Sequence, residues 1–210
     1  MAVRPSVLVI ACGALAREIM ALIRNNEWSE FVVQCLPAEF HNTPDKIPAA
    51  VRSKIREQRD RFEKIFVAYA DCGTGGQLDT VLENEGVERL PGAHCYEFFA
   101  GHRQFQELAT AEPGTFYLTD FLARHFERLI INGLGIDRHP ELQAMYFGNY
   151  KKLVYLSQIE DADLMERAQR AARRLELIFE HRATGYGLLE GSLRSVRVSI
   201  DGEVDHRILA

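Results

Sequence analysis

Val7, Leu8, Val9, Ile10 and Ala11 form an unbroken apolar run, and residues 6–11 therefore predict a short strand buried on both faces. Leu15, Ile19, Leu22 and Ile23 then recur at helical spacing across residues 14–24. The pattern repeats along the first half of the chain. Strands are predicted over residues 31–36, 64–70 and 87–90, and helices over 45–62, 77–84 and 96–108. Pro48 falls near the start of the long second helix, where proline is tolerated, and Gly86 follows the third, where glycine caps. Ile47, Val51, Ile55 and Phe62 form the expected inner face of the second helix.

The second half is less regular. Residues 115–118, 151–157 and 177–181 read as strands, and 120–131, with Thr119 as its cap, and 161–175 read as helices. After Gly185-Tyr186-Gly187 a loop and short helix are expected, and residues 194–205, punctuated by Asp201-Gly202, suggest a terminal hairpin. Alternation of strand and helix predicts an α/β fold: a mainly parallel, doubly wound sheet with helices on both faces and a less regular C-terminal part. No low-complexity linker interrupts the 210 residues, so a single domain over 1–210 is expected. The segments around Val9-Cys12-Gly13 and Tyr69-Cys72-Gly73 resemble one another as a weak internal repeat.

Composition narrows the function. A hydrophobic fraction of 47% with 26% charged residues excludes a disordered or collagen-like chain. A net charge of −5 gives no electrostatic footprint for nucleic acid, so no nucleic-acid partner is expected. No stretch approaches the roughly 20 apolar residues of a membrane span, and the start of the chain lacks a signal-peptide pattern. A cytoplasmic protein with reduced thiols is expected. Self-association through apolar faces of the second half is left open.

Four cysteines are too few for a disulfide scaffold, so their positions matter. Cys12, Cys72 and Cys95 each follow a predicted strand and precede or begin a helix, at the edge where open α/β sheets bind ligands. Helix starts favour anions and lower thiol pKa values. Three converging thiolates would suit zinc with an open position, or an iron–sulfur cluster with one iron left for substrate. The alternative is that they are small residues packed at strand ends. Cys35, inside the second strand, reads as core.

His94, beside Cys95, is a candidate ligand, general acid/base or structural hydrogen bonder. His41, His102, His125, His139 and His181 lack such a context and read as surface or packing residues. Gly73, Thr74, Gly75 and Gly76 form a candidate backbone cradle for a substrate or cofactor anion, or simply a tight turn. The turn lacks a P-loop lysine and a complete dinucleotide fingerprint. Tyr117, Thr119, Tyr150 and Lys152 flank strand ends as substrate contacts or packing residues. Arg167, Arg170, Arg173 and Arg174 read as a solvated helix face.

The stretches Val9-Ile10-Ala11-Cys12, Tyr69-Ala70-Asp71-Cys72-Gly73-Thr74-Gly75 and Ala93-His94-Cys95, with Pro113-Gly114-Thr115-Phe116-Tyr117-Leu118-Thr119 further on, together resemble the family called domain of unknown function 1638. In that pattern an acidic residue separates the histidine from the third cysteine, whereas here His94 directly precedes Cys95. The resemblance implies a functional three-cysteine site but names no activity. It implies an association with corrinoid-dependent methyl-transfer systems.

Three readings follow. In one the chain is a metal-dependent enzyme acting on a small-molecule substrate, in one-carbon or sulfur chemistry. Cys12, Cys72 and Cys95 would hold zinc or an iron–sulfur cluster, and His94 would move a proton. In another it is a metal- or cofactor-handling accessory of a corrinoid methyl-transfer system, without turnover. A third, blander reading is a scaffold whose cysteines only pack.

Overall fold

The structure, a computed structural model, describes residues 6–208. Residues 1–5, on which part of the signal-peptide reading rests, lie outside the described residues. The chain divides into two compact units, one made of residues 1–98 and 188–210 and the other of residues 99–187.

The first unit is built on β1 (Val7–Cys12), α1 (Ala16–Asn25), β2 (Phe31–Leu36), α2 (Lys46–Gln58), β3 (Lys64–Ala68), α3 (Gln77–Glu85) and β4 (Glu88–Arg89). The helix α4 (Cys95–Ala100) begins in it. The four strands are all parallel, in the order β2-β1-β3-β4. β1 is central, and every one of its residues is buried, as its uninterrupted apolar run requires. α2 packs on α3 and against β1. α1 packs on β2 and on the C-terminal helix, residues 189–208. Because parallel crossovers are right-handed, leaving β1 toward β2 and then stepping back past it to β3 puts the connecting helices on opposite faces. The carboxyl ends of β1 and β3 therefore flank the point where the winding reverses.

The second unit contains α5 (His102–Ala111), β5 (Thr115–Thr119), α6 (Asp120–Phe126), α7 (Leu142–Phe147), β6 (Lys152–Ser157), α8 (Ala162–Leu175) and β7 (Ile178–Ala183). Its three strands are parallel in the order β5-β6-β7. Leu118, Leu153 and Tyr155 from the sheet pack with Phe126, Leu164, Ala168 and Leu175 from α6 and α8. On the other side of β5, Phe105 from α5 meets Tyr117, their ring centroids 5.1 Å apart. Buried Asp120 joins two strand ends: it accepts from Tyr155 Oη at 2.6 Å and from the N–H groups of Gln158 and Ile159, both at 3.1 Å.

The two parallel sheets and the helices around them bear out the α/β expectation. Four details differ. The helix predicted over 96–108 breaks at Gly101, whose φ of +81° no helix accommodates. The helix expected to run to residue 131 passes into a π-helical segment, Glu127–Asn132, after His125 leaves helical geometry. The hairpin expected over 194–205 is instead part of α9 (Leu189–Ile208). Leu189, Leu193 and Val196 are buried at helical intervals there, and this burial outweighs the turn preference of Asp201-Gly202. Finally, Cys35 is exposed rather than core, because β2 is an edge strand.

Candidate functional site

Cys12 is the last residue of β1, and its Sγ accepts the N–H of Ala14 at 3.3 Å, capping the short 3₁₀ turn that follows. Gly13 beside it is needed for close approach: a Cβ there would lie 3.1 Å from the Leu36 carbonyl oxygen at the end of β2. Cys72 lies in the loop after β3 and is a non-glycine residue with φ of +52°, a left-handed conformation that costs a residue with a Cβ. Cys95 opens α4. Its loop is tied to that of Cys72 by two backbone bonds, Asp71 N–H to Gly92 C=O at 3.1 Å and Cys72 N–H to Ala93 C=O at 2.8 Å. Arg89 secures the same loop from below. It forms a two-pronged pair with Asp79 at 2.6 and 2.9 Å and donates to the carbonyls of Leu90 and Gly92.

All four cysteines are free thiols. Burial pushes the Cys12 thiol up to about 12, and the neighbouring Cys72 adds to the rise. Burial likewise pushes Cys72 up to about 11, with Asp71 contributing. Cys95 is raised as well, by burial first and then by Cys72 and Cys12. Cys72 thus disfavours ionisation of Cys12, both disfavour that of Cys95, and desolvation overrides any help from helix starts. Among the described residues, no group of three or more His, Cys, Asp or Glu side chains is arranged to hold a metal ion. The Tyr69 hydroxyl is buried without a hydrogen-bond partner of normal geometry. Burial raises its pKa, and Cys12 and Cys72 raise it further.

His94 is exposed at the rim of this edge. The histidine against a thiol is His41, which the sequence pattern does not single out. It is exposed as a residue, but its Nδ1 is turned inward, 3.0 Å from the Ala38 carbonyl and 3.8 Å from Cys12 Sγ. Desolvation lowers the pKa of His41; the Ala38 carbonyl opposes this, and His94 adds to the lowering.

The Gly73–Gly76 turn already encloses an anion, the carboxylate of Asp71. That side chain accepts from Thr74 Oγ1 at 2.6 Å, Gly76 N–H at 2.9 Å and Gly75 N–H at 3.2 Å. Burial works to raise the carboxyl's pKa, but Thr74 and the two N–H groups, with Arg89, hold it below its usual value. The turn thus stiffens the loop that carries Cys72. Elsewhere, Thr119 Oγ1 accepts from Leu122 N–H at 3.4 Å and caps α6, and Lys152 pairs with Glu180 at 2.6 Å. Tyr150 packs edge-on against Phe116, while Arg167 and Arg170 pair with Asp163 and Glu166 on the exposed face of α8.

Fold and site together define an α/β protein whose first unit gathers thiols at the carboxyl edge of a parallel sheet. The chain belongs to the family described as protein of unknown function (DUF1638), whose model matches residues 35–193. No curated protein and no solved structure matches it. No described helix is long and apolar enough to cross a membrane.

Proposed function

We propose that the chain is an enzyme acting on a small molecule at the thiol-lined edge of its first unit, with Cys12, Cys72 and Cys95 as the functional groups. One observation carries this reading: Cys12 and Cys72 stand on either side of the winding reversal between β1 and β3, the place where open α/β sheets bind ligands. A positive φ at Cys72 supports it, because such strain persists where a side chain must be aimed.

The thiols have the donor chemistry of a soft metal centre, although among the described residues no three such side chains are arranged around one ion. A metal or cluster would have to displace the protons of three thiols that burial keeps protonated, so its binding would strengthen as pH rises. Cys12, Cys72 and Cys95 would hold the group, which would supply an open Lewis-acid position for substrate. His41, beside Cys12, and His94, at the rim, are the side chains available to take or return a proton there. Asp71, through the Gly73–Gly76 turn, holds Cys72 in place. This chemistry requires reduced thiols, as in a cytoplasmic setting.

The test is elemental analysis with a visible spectrum of anaerobically purified protein, wild type against Cys12→Ser, Cys72→Ser and Cys95→Ser. Broad absorption near about 400 nm with iron and sulfide identifies a cluster, and colourless zinc a mononuclear site. Metal content that is absent, or unchanged in all three variants, removes the metal centre from the proposal. Turnover assays then separate an enzyme from a handling protein that passes a metal or cofactor to a corrinoid methyl-transfer partner.

A further inference from the structure

The second unit has a cavity of its own that no cysteine enters. It holds about 580 Å³ at the carboxyl ends of β6 and β7, is open to solvent on one side, and has Tyr155, Ser157 and His181 at its base with Ile159 and Met165 as apolar walls. In the β6–β7 register Tyr155 is opposite His181 and Ser157 is opposite Ala183, so Ser157 and His181 are diagonal neighbours on one face. Ser157 Oγ lies 2.9 Å from His181 Nε2. The serine is only 6% exposed, so the imidazole rather than bulk water is positioned to take its proton.

Both residues are held in place. The His181 ring lies against that of Tyr155 with centroids 5.5 Å apart, and Tyr155 is fixed by its bond to Asp120. The N–H groups of Thr184 and Gly185 donate to the Ser157 carbonyl at 3.0 and 3.2 Å, fixing the backbone at the serine. A hydroxyl within reach of an oriented imidazole, facing a cavity at the carboxyl edge of a parallel sheet, is the arrangement of an activated nucleophile and its base.

We propose that Ser157, with His181 as general base, is a nucleophile toward activated acyl groups, thioesters or aryl esters, of small molecules held in this cavity. Ser157 Oγ attacks the acyl carbon and its proton passes to His181 Nε2. The bond to the leaving thiol or alcohol breaks, and the leaving group departs with that proton. Water then attacks the acyl-serine, losing a proton to Nε2, which returns it to Oγ; the products are the acid and the free thiol or alcohol. The backbone sets the substrate class. The N–H groups of Gln158 and Ile159, directly after the nucleophile, are occupied by Asp120 and do not face a developing oxyanion. A good leaving group offsets that lack, so amides are excluded. Glu160 and Asp161 on the lining disfavour an acyl group that carries its own carboxylate.

The test is labelling of the full-length protein with an alkyl fluorophosphonate and location of the adduct by peptide mass spectrometry. The expected result is an adduct on Ser157 that forms about 100-fold more slowly in His181→Gln and at the wild-type rate in Cys12→Ser. Absence of a Ser157 adduct in the wild-type protein overturns the proposal, whether or not the variant folds. So does a rate unmoved by His181→Gln in protein whose circular dichroism is unchanged. Neither outcome bears on the cysteine site, because the Ser157 reaction uses no thiol.

Discussion

The Cys72 N–H donates to the Ala93 carbonyl at 2.8 Å, which binds the loop after β3 to the one that presents Cys95. On the far side of the same peptide chain, Glu97 Oε2 accepts the Ala93 N–H at 2.9 Å. The carboxylate of Glu97 is thus a clamp on the loop that brings the third thiol to the other two.

Glu97→Ala should free that loop. We expect a loss of about 1 kcal/mol in stability and an iodoacetamide reaction at Cys95 several-fold faster, with Cys35 unaffected. Thermal denaturation and peptide mass spectrometry read the two effects. An unchanged Cys95 rate would show that the clamp does not control access.

The thiols should differ in reactivity. Cys35, exposed on the edge strand, reacts first at pH 8, while Cys12 and Cys72 stay largely protonated because burial holds them near 12 and 11. The rates at Cys12 and Cys72 should rise about tenfold per pH unit between 8 and 10, since only the thiolate reacts. Stability follows the same sign. Thiols whose folded pKa is raised favour folding fully below the ordinary value of 9.0, and that contribution is lost as pH rises from there through the folded values. Denaturant titrations at pH 8 and pH 10 should show the protein weaker at the higher pH, and less so in Cys12→Ala.

Asp71→Ala removes the acceptor for Thr74, Gly75 and Gly76 and should cost about 2 kcal/mol at neutral pH. Because the folded carboxyl is depressed, its contribution is present above the ordinary value of 3.8 and lost as pH falls through the folded one. The gap between wild type and variant in urea denaturation should therefore close in acid. A gap of the same size at pH 3 would mean that the turn does not depend on the charge.

Asp120 is 1% exposed and serves Tyr155, Gln158 and Ile159 at once. Asp120→Ala should cost about 3 kcal/mol by stranding a buried phenol and two N–H groups, and hydrogen exchange should quicken at the carboxyl ends of β5 and β6. A loss below about 1 kcal/mol would mean that solvent replaces the carboxylate freely.

Much of this was legible in the sequence. The apolar run of β1 marks a strand buried on both faces, and Thr119 and Gly86 sit at the helix ends they were expected to cap. The strand-end positions of Cys12, Cys72 and Cys95 are likewise read directly from the pattern of elements. His41 was not legible, because it meets Cys12 across a tertiary contact 29 residues away. Nor was the pairing of Ser157 with His181, which depends on the register of two strands joined through a 14-residue helix. Turn chemistry misled at Asp201-Gly202, where the buried positions Leu189, Leu193 and Val196 continue a helix that local preference would have ended. In the glycine turn, the anion that its N–H groups receive is supplied by the adjacent Asp71, a pairing that spacing alone did not reveal.

The first unit is made from both ends of the chain, with α9 packed beside α1 and Arg194 lying over Trp28, 5.6 Å from the ring centroid. A ribosome therefore completes the second unit's strands before it releases the last piece of the first. Until α9 emerges, α1 and Trp28 lack that covering. The sole tryptophan sits at that seam, so its emission reports the docking of α9 on the thiol-bearing unit.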